Sequence, residues 1–262
     1  MMRRVLAWTL CGSLLSPLIL LVVLSLARHW TWPRLLPAEL QARQWQDLIA
    51  DSSALGPVLW RSLGMGSGVA ILATTLGFFS SRSVARHPRQ GPLLALLHLP
   101  FAVSPVVLGV SLLYLFLRLH LAGHLAGVML AHFIFAYAYA VILLSGFWTS
   151  KMRSLEEMAV SLGAQRRQLW LEVLMPLARP LLLVCVFQAF MISWFDYALT
   201  LLIGDGQVST LTVALYQYFS SGDVRLAATC ALLLMAPPLL ALLMNQRLLS
   251  ATVVTALEAH GG

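Results

Sequence analysis

Charge is what this sequence has least of. Only 10% of its 262 residues are Asp, Glu, Lys or Arg, against about 25% in a typical soluble domain. Acids are the scarcer sign, with 10 Asp and Glu against 17 Lys and Arg. A chain this poor in charge and 60% apolar is neither disordered, nor collagen-like, nor the core of a soluble enzyme. Cysteine is equally sparse: Cys11, Cys185 and Cys230 all lie inside apolar blocks, without CxxC spacing or an even count, which removes zinc, redox and disulfide-framework readings. All three are expected to be buried, inert thiols. The chain also lacks a phosphate-binding loop with its Lys-Ser/Thr, an HExxH pair, a Ser-centred nucleophile motif with a partner in register, and paired intramembrane aspartates. The expectation is no catalytic residue, no metal and no cofactor on this chain.

What is present is a series of apolar blocks of 20 or more residues, with a mean hydropathy of +0.84, so lipid is the expected solvent. Six spans are expected, over 5–27, 57–79, 93–117, 125–148, 180–203 and 224–249. The first is over 20 residues long, whereas the apolar region of a signal peptide is about 7 to 15, so a retained helix is favoured despite the cleavage-like Ser25-Leu26-Ala27. The net charge of +7 belongs to topology rather than to nucleic acid. By this arrangement 11 Lys and Arg lie on the cytoplasmic side and 6 outside or near the outer ends, which places both termini in the cytoplasm.

The fold class is therefore all-α: a polytopic membrane protein with six transmembrane helices. Its divisions are a first helix (1–28), an extracytoplasmic loop (29–56) with Trp30, Trp32 and Trp45 at headgroup level, a five-helix core (57–250) with a polar cytoplasmic loop (149–179), and a cytoplasmic tail (251–262). Pro100 and Pro105 predict a kink near the middle of the third span. Gly64 with Gly68, and Gly123 with Gly127, have the four-residue spacing that lets helix backbones approach in lipid.

The polar loop carries the most informative pattern. Leu155, Met158, Ala159 and Leu162 recur at helical spacing, with Ser154 and Glu157 in the order of a capping box, and Gly163 offers a break. Leu169, Trp170, Val173 and Leu174 form a second apolar stripe, which Pro176 and Pro180 are expected to terminate. The reading is helix, turn, helix on the cytoplasmic surface, for which simple burial in the lipid interface is the bland alternative.

The order Glu157-Met-Ala159, Gly163 four residues on, and Val173-Leu-Met-Pro176 ten residues after that glycine resembles the EAA loop of binding-protein-dependent ABC importer permeases. That pattern is Glu-Ala-Ala, three residues, Gly, nine residues, Ile-x-Leu-Pro. Met158, Val173 and Met175 depart from it by apolar exchanges. The resemblance extends to the six-span plan and to the Ser193-Trp-Phe-Asp-Tyr-Ala-Leu-Thr200 stretch, and covers the iron, thiamine, polyamine, phosphonate, sulfate and molybdate branch. It implies that residues 155–176 form a coupling helix hairpin contacting a cytoplasmic ATPase, with Glu157, Ala159, Gly163, Val173 and Pro176 as its marker positions. It also implies the partners: two ABC ATPase subunits carrying ATP and Mg, a second permease of the same or a sister chain, and an extracytoplasmic solute-binding protein. The chain itself would be a non-enzymatic importer subunit in the cytoplasmic (inner) membrane.

Asp196 is the only acid well inside an expected span, and an intramembrane carboxylate is a functional candidate by default. With Trp194 and Tyr197 it is a candidate for lining the substrate pathway, weakly attracting a cation. Packing against Ser193 or Tyr197 is the competing reading. His98, His132 and Arg61 carry no assignment. A self-sufficient secondary transporter or channel is the alternative function, but it calls for inverted repeats or charges paired across helices, and the chain contains no visible repeat.

Overall fold

The computed structural model describes residues 2–28, 37, 39–49 and 54–260, with side chains described for most of these. Trp30, Trp32 and the side chain of Cys11 lie outside the described residues. Contacts divide the chain into two compact units, Met1–Pro57 with Leu211–Gly262, and Val58–Thr210.

In the first unit, α1 (Met2–Leu26) leads into a two-residue antiparallel pairing of β1 (Ala27–Arg28) with β2 (Glu39–Leu40), followed by α2 (Arg43–Ile49). The same unit contains α12 (Leu211–Ser220) and α13 (Val224–His260), and both α1 and α12 pack on α13. Leu211, Val213, Ala214, Ala227, Ala228 and Cys230 are buried. The helix of the sixth span runs on to His260, through most of the expected tail.

The second unit holds most of α3 (Leu55–Ala85), then α4 (Gln90–Leu97), α5 (Leu99–Ala102), α6 (Pro105–Arg118), α7 (Leu125–Ser145), α8 (Ser150–Ser161), α9 (Arg166–Gln168), a π-helical turn (Leu169–Leu174), α10 (Met175–Trp194) and α11 (Ala198–Gly204). Among the described residues, four helices are long and apolar enough to cross a membrane: Leu55–Ala85, Leu125–Ser145, Arg166–Trp194 and Val224–Leu243. Two shorter apolar helices, Leu15–Leu26 and Pro105–Arg118, fall in the expected first and third spans.

The third span is more broken than a kink. Val103 is extended at φ −102°, ψ 141°, and Ser104 follows at ψ 134°. A residue before proline is pushed out of the helical region by the ring of the next residue, so Ser104 leaves the helix and Pro105 starts α6 at a position where no N–H is needed.

The fifth span differs in the opposite sense. Pro176 and Pro180 do not end the helix there, because Arg166–Trp194 is one continuous helical segment. Pro176 follows directly on the π-helical turn Leu169–Leu174, where the winding changes and no regular i−4 bond is required of it, while Pro180 is carried inside α10. The helix ends instead at Phe195-Asp196-Tyr197, and α11 follows.

The second unit's core is made of small residues. Ala131, Ala136 and Ala140 of α7, Ala70 and Ala73 of α3, and Ala178 and Ala189 of α10 are wholly buried, as expected where helices associate by close packing rather than by hydrophobic exclusion. Of the expected pair Gly64 and Gly68, only Gly68 faces another helix, where a Cβ would stand 3.3 Å from Met129 Cε of α7, and a closer helix approach lies elsewhere. A Cβ on Gly64 would meet nothing within 4 Å, whereas one on Gly77 would stand 2.7 Å from Ala140 Cβ. Gly123 lies in a turn at φ +75° rather than in a span helix, and Gly127 packs against the carbonyl oxygen of Leu121.

Candidate functional site

The polar loop folds as a helix and a turn before the long fifth helix. Thr149 caps α8 by accepting the Met152 N–H at 3.3 Å. The helix thus starts five residues before the expected Ser154 cap, and Ser154 sits within it, donating to Ser150 O. At the other end, the Gly163 N–H donates to Val160 O at 2.9 Å and the Ala164 N–H to Ala159 O at 3.0 Å, with Gly163 at φ +84°. This pair of bonds is the Schellman arrangement, in which a left-handed glycine satisfies the last carbonyls. Ala159 and Gly163 therefore belong to one capping device, which accounts physically for their four-residue spacing.

The exposure of α8 is inverted relative to a soluble surface helix. Met158 is 60% exposed, Val160 58% and Leu162 83%, while Glu156 is only 5% exposed. Glu157 is open to solvent and pairs with Arg153 at 3.1 Å, a surface contact worth little by itself. Val173 is half-buried in the π-helical turn, and Pro176 is exposed at the start of α10.

Glu156, which the sequence pattern does not single out, makes the strongest polar contacts of the loop. Its Oε2 accepts from Arg82 Nη2 at 2.5 Å and from Arg86 Nη2 at 2.6 Å. The Arg82 guanidinium also lies 5.1 Å from the Trp170 ring centre and 5.6 Å from that of Trp148. Phe78 stacks on Trp148 at 5.3 Å and meets Trp170 edge-on. The four-residue spacing of Arg82 and Arg86, one face of a helix end, was the available signal.

The second polar site is intramembrane. His132 of α7, 1% exposed, has Nδ1 at 2.8 Å from Ser193 Oγ and Nε2 at 3.0 Å from both Thr200 Oγ1 and Asp196 Oδ2. Asp196 Oδ2 further accepts the Thr200 N–H and hydroxyl, at 3.0 and 3.2 Å. One tautomer serves all of these bonds: Nε2–H donates toward Asp196 and Thr200, and Nδ1 accepts from Ser193. Asp196 thereby caps the first turn of α11 at the helix break. With Pro105, His132, Phe135, Ile192 and Leu199 it lines a cavity of about 150 Å³.

Trp194 and Tyr197 do not join that cavity. The Trp194 ring stacks on Phe190 at 5.3 Å, and Tyr197 is half-buried at the N-terminus of α11. His132, unassigned from sequence, is the residue that Asp196 meets. His98 bonds its own turn through Leu94 O. Among the described residues no group of three or more His, Cys, Asp or Glu could hold a metal, and Cys185 and Cys230 are buried.

Comparison with known proteins gives the same direction. The putrescine transport system permease protein PotI of Escherichia coli (strain K12) is 25% identical over 223 residues, covering 80% of this chain and 76% of its own length. The molybdenum transport system permease protein ModB of Mycobacterium tuberculosis is 28% identical over 232 residues, covering 82% and 84%. The putative 2-aminoethylphosphonate transport system permease protein PhnV of Salmonella typhimurium (strain LT2) is 24% identical over 236 residues, covering 88% of each. The family described as binding-protein-dependent transport system inner membrane component matches residues 65–254, a stretch that takes in both polar sites, and the chain belongs to this family of ABC importer permeases.

Proposed function

We propose that this permease crosses the membrane six times with both termini in the cytoplasm, and forms half of a translocation pathway with a second permease of the same or a sister chain. Two ATPase subunits bind ATP and Mg on the cytoplasmic side, so this chain hydrolyses nothing itself. An extracytoplasmic solute-binding protein delivers the solute to the outer loops, including the segment after Gly204.

The observation that carries this reading is the inverted exposure of α8, with Met158 and Leu162, one turn apart on one face, left open beside Glu157 and the glycine turn. Apolar residues on a polar cytoplasmic loop fit a protein groove. Residues 155–176 are the coupling element, with Glu157, Ala159, Gly163, Val173 and Pro176 at its marker positions. Because the helix after the turn is continuous into α10, closure of the ATPase pair is transmitted as rigid-body movement of a span.

The solute is small and polar. The names of the relatives cover putrescine, 2-aminoethylphosphonate and molybdenum, and single out none of these for this chain. Asp196 is the pathway candidate, with Trp194 and Tyr197 flanking it. Its carboxylate is held by His132 and Thr200, so any attraction it exerts on a cation is through the small cavity rather than as a free charge.

The test is purification of the tagged protein from its own membranes in mild detergent, with mass spectrometry of the accompanying chains. Recovery of an ABC ATPase is the expected result, and a second permease or binding protein in the eluate identifies the dimer type. A protein that comes out alone and moves solute in liposomes without ATP overturns the reading in favour of a self-sufficient transporter.

A further inference from the structure

The geometry points to Glu156 as a positioning residue, a buried ionic strut that carries movement of the α8 coupling helix into the cytoplasmic end of α3. This inference rests on the coupling role proposed for the loop and names the part that connects it to a second span, separate from the covalent connection through α9 into α10.

The argument begins with desolvation. Glu156 faces inward from the most polar loop of the chain, although Met158 and Leu162 on the same helix are the residues that burial favours. A carboxylate removed from water is stabilised only when it is paired and hydrogen-bonded, and here one oxygen takes two guanidinium donors, at 2.5 and 2.6 Å. Both donors stand on the last turn of α3 or just beyond it, four residues apart. Arg82 is held in turn, its guanidinium lying over Trp148 and Trp170. Trp148 is fixed by an Nε1–H bond of 2.8 Å to Ser81 Oγ. Arg82 and Trp148 are thus each held by a second partner. A charge-assisted bond of this length, between side chains with locked rotamers, transmits displacement where a solvated pair yields.

The pairing is also incomplete in a suggestive way. Glu156 Oε1 and Arg82 Nε are both buried, and neither has a hydrogen-bond partner among the described residues. A spare acceptor and a spare donor thus sit on two residues already joined through Arg82 Nη2 and Glu156 Oε2. Beside this pair lies a groove of about 560 Å³, bordered by Arg86, His87, Thr149, Arg153 and Glu157.

The test uses the membrane complex purified through the tagged chain. Trp60, 70% exposed near the opposite end of α3, is changed by Trp60→Cys in a background lacking the native cysteines, and labelled with an environment-sensitive fluorophore. Trapping with Mg-ATP and vanadate should change the emission in the otherwise native complex. Glu156→Gln and the milder Arg86→Gln should retain the co-purified ATPase but lose at least three quarters of the change, and Arg86→Lys should restore most of it. If Glu156→Gln fails to accumulate, Arg86→Gln and its Lys rescue decide the matter alone. An unchanged signal in the Gln variants with ATPase bound overturns the strut and leaves the coupling reading standing. Loss of ATPase from the variants also overturns it, making Glu156 a docking residue. Absence of ATPase from the unmodified complex overturns the coupling reading, and the strut with it.

Discussion

Gly77→Ala should destabilise the α3–α7 interface, although alanine is the better helix former. The added Cβ would stand 2.7 Å from Ala140 Cβ, 3.3 Å from Ala140 C and 3.4 Å from Val141 N. Carbon atoms rest about 3.5–4.0 Å apart, so the two helices must separate by roughly 1 Å. Two of the three neighbours are backbone, which cannot rotate away. The separation would loosen the packing of Phe78, Ala140 and Leu144 and stretch the 2.8 Å bond from Tyr137 to Ser80. Overpacking of this kind costs about 1–3 kcal/mol, a factor of about 5 to 150 in the folding equilibrium. At about 2–4 °C per kcal/mol for a chain of this size, the apparent Tm in mild detergent should fall by about 2–12 °C. Gly64→Ala is the control, because a Cβ there meets nothing within 4 Å. Ala140→Gly added to Gly77→Ala should recover most of the loss, since it removes the clashing methyl. Equal thermal stability of the Gly77→Ala and Gly64→Ala proteins would refute the argument.

Asp196→Asn keeps the shape of the side chain and removes its charge; uptake of the transported solute should fall with assembly and ATP hydrolysis intact, and unchanged uptake would take Asp196 out of the pathway. Gly163→Pro deletes the N–H that bonds Val160 O and forbids the positive φ, while Glu157→Lys reverses an exposed charge; both should insert normally and lose ATPase association or coupling, measured as ATPase recovered per permease and uptake per ATP. Leu162→Glu, at a side chain 83% exposed, should leave the amount in the membrane unchanged and deplete ATPase from the eluate at least several-fold, whereas an undiminished yield would place the docking face elsewhere.

Patterns local in sequence were the legible ones. The helix and turn of the polar loop follow from Leu155, Met158, Ala159, Leu162 and Gly163, because an amphipathic period and a left-handed glycine are read within one or two turns. Asp196 stands out because a carboxylate in an apolar run is costly wherever it lies. Its partner was invisible, since His132 is 64 residues away and only the packing of α7 against α10 and α11 joins them. Glu156 was overlooked in favour of Glu157 for the same reason: adjacent acids look alike until Arg82 and Arg86, 74 and 70 positions upstream, are brought beside one of them. The start of α8 was misjudged because Ser154 and Glu157 satisfy the capping pattern by composition, yet Thr149 captures the helix start first. Pro176 and Pro180 were read as terminators because proline's missing N–H is a local fact, whereas the helix that runs on through both is a property of the whole segment.

That turn has a further consequence. A π-helical turn holds one residue more than the α-helical winding around it, so the segment Arg166–Trp194 contains a stored increment of thread. Releasing the increment would screw everything beyond Leu174 by about 100° and shift it along its axis by ~1.5 Å. The far end of this thread is the Phe195–Tyr197 break where Asp196 meets His132. The six residues Leu169–Leu174 and the hydrogen bond between Asp196 and His132 thus stand at the two ends of one helical thread.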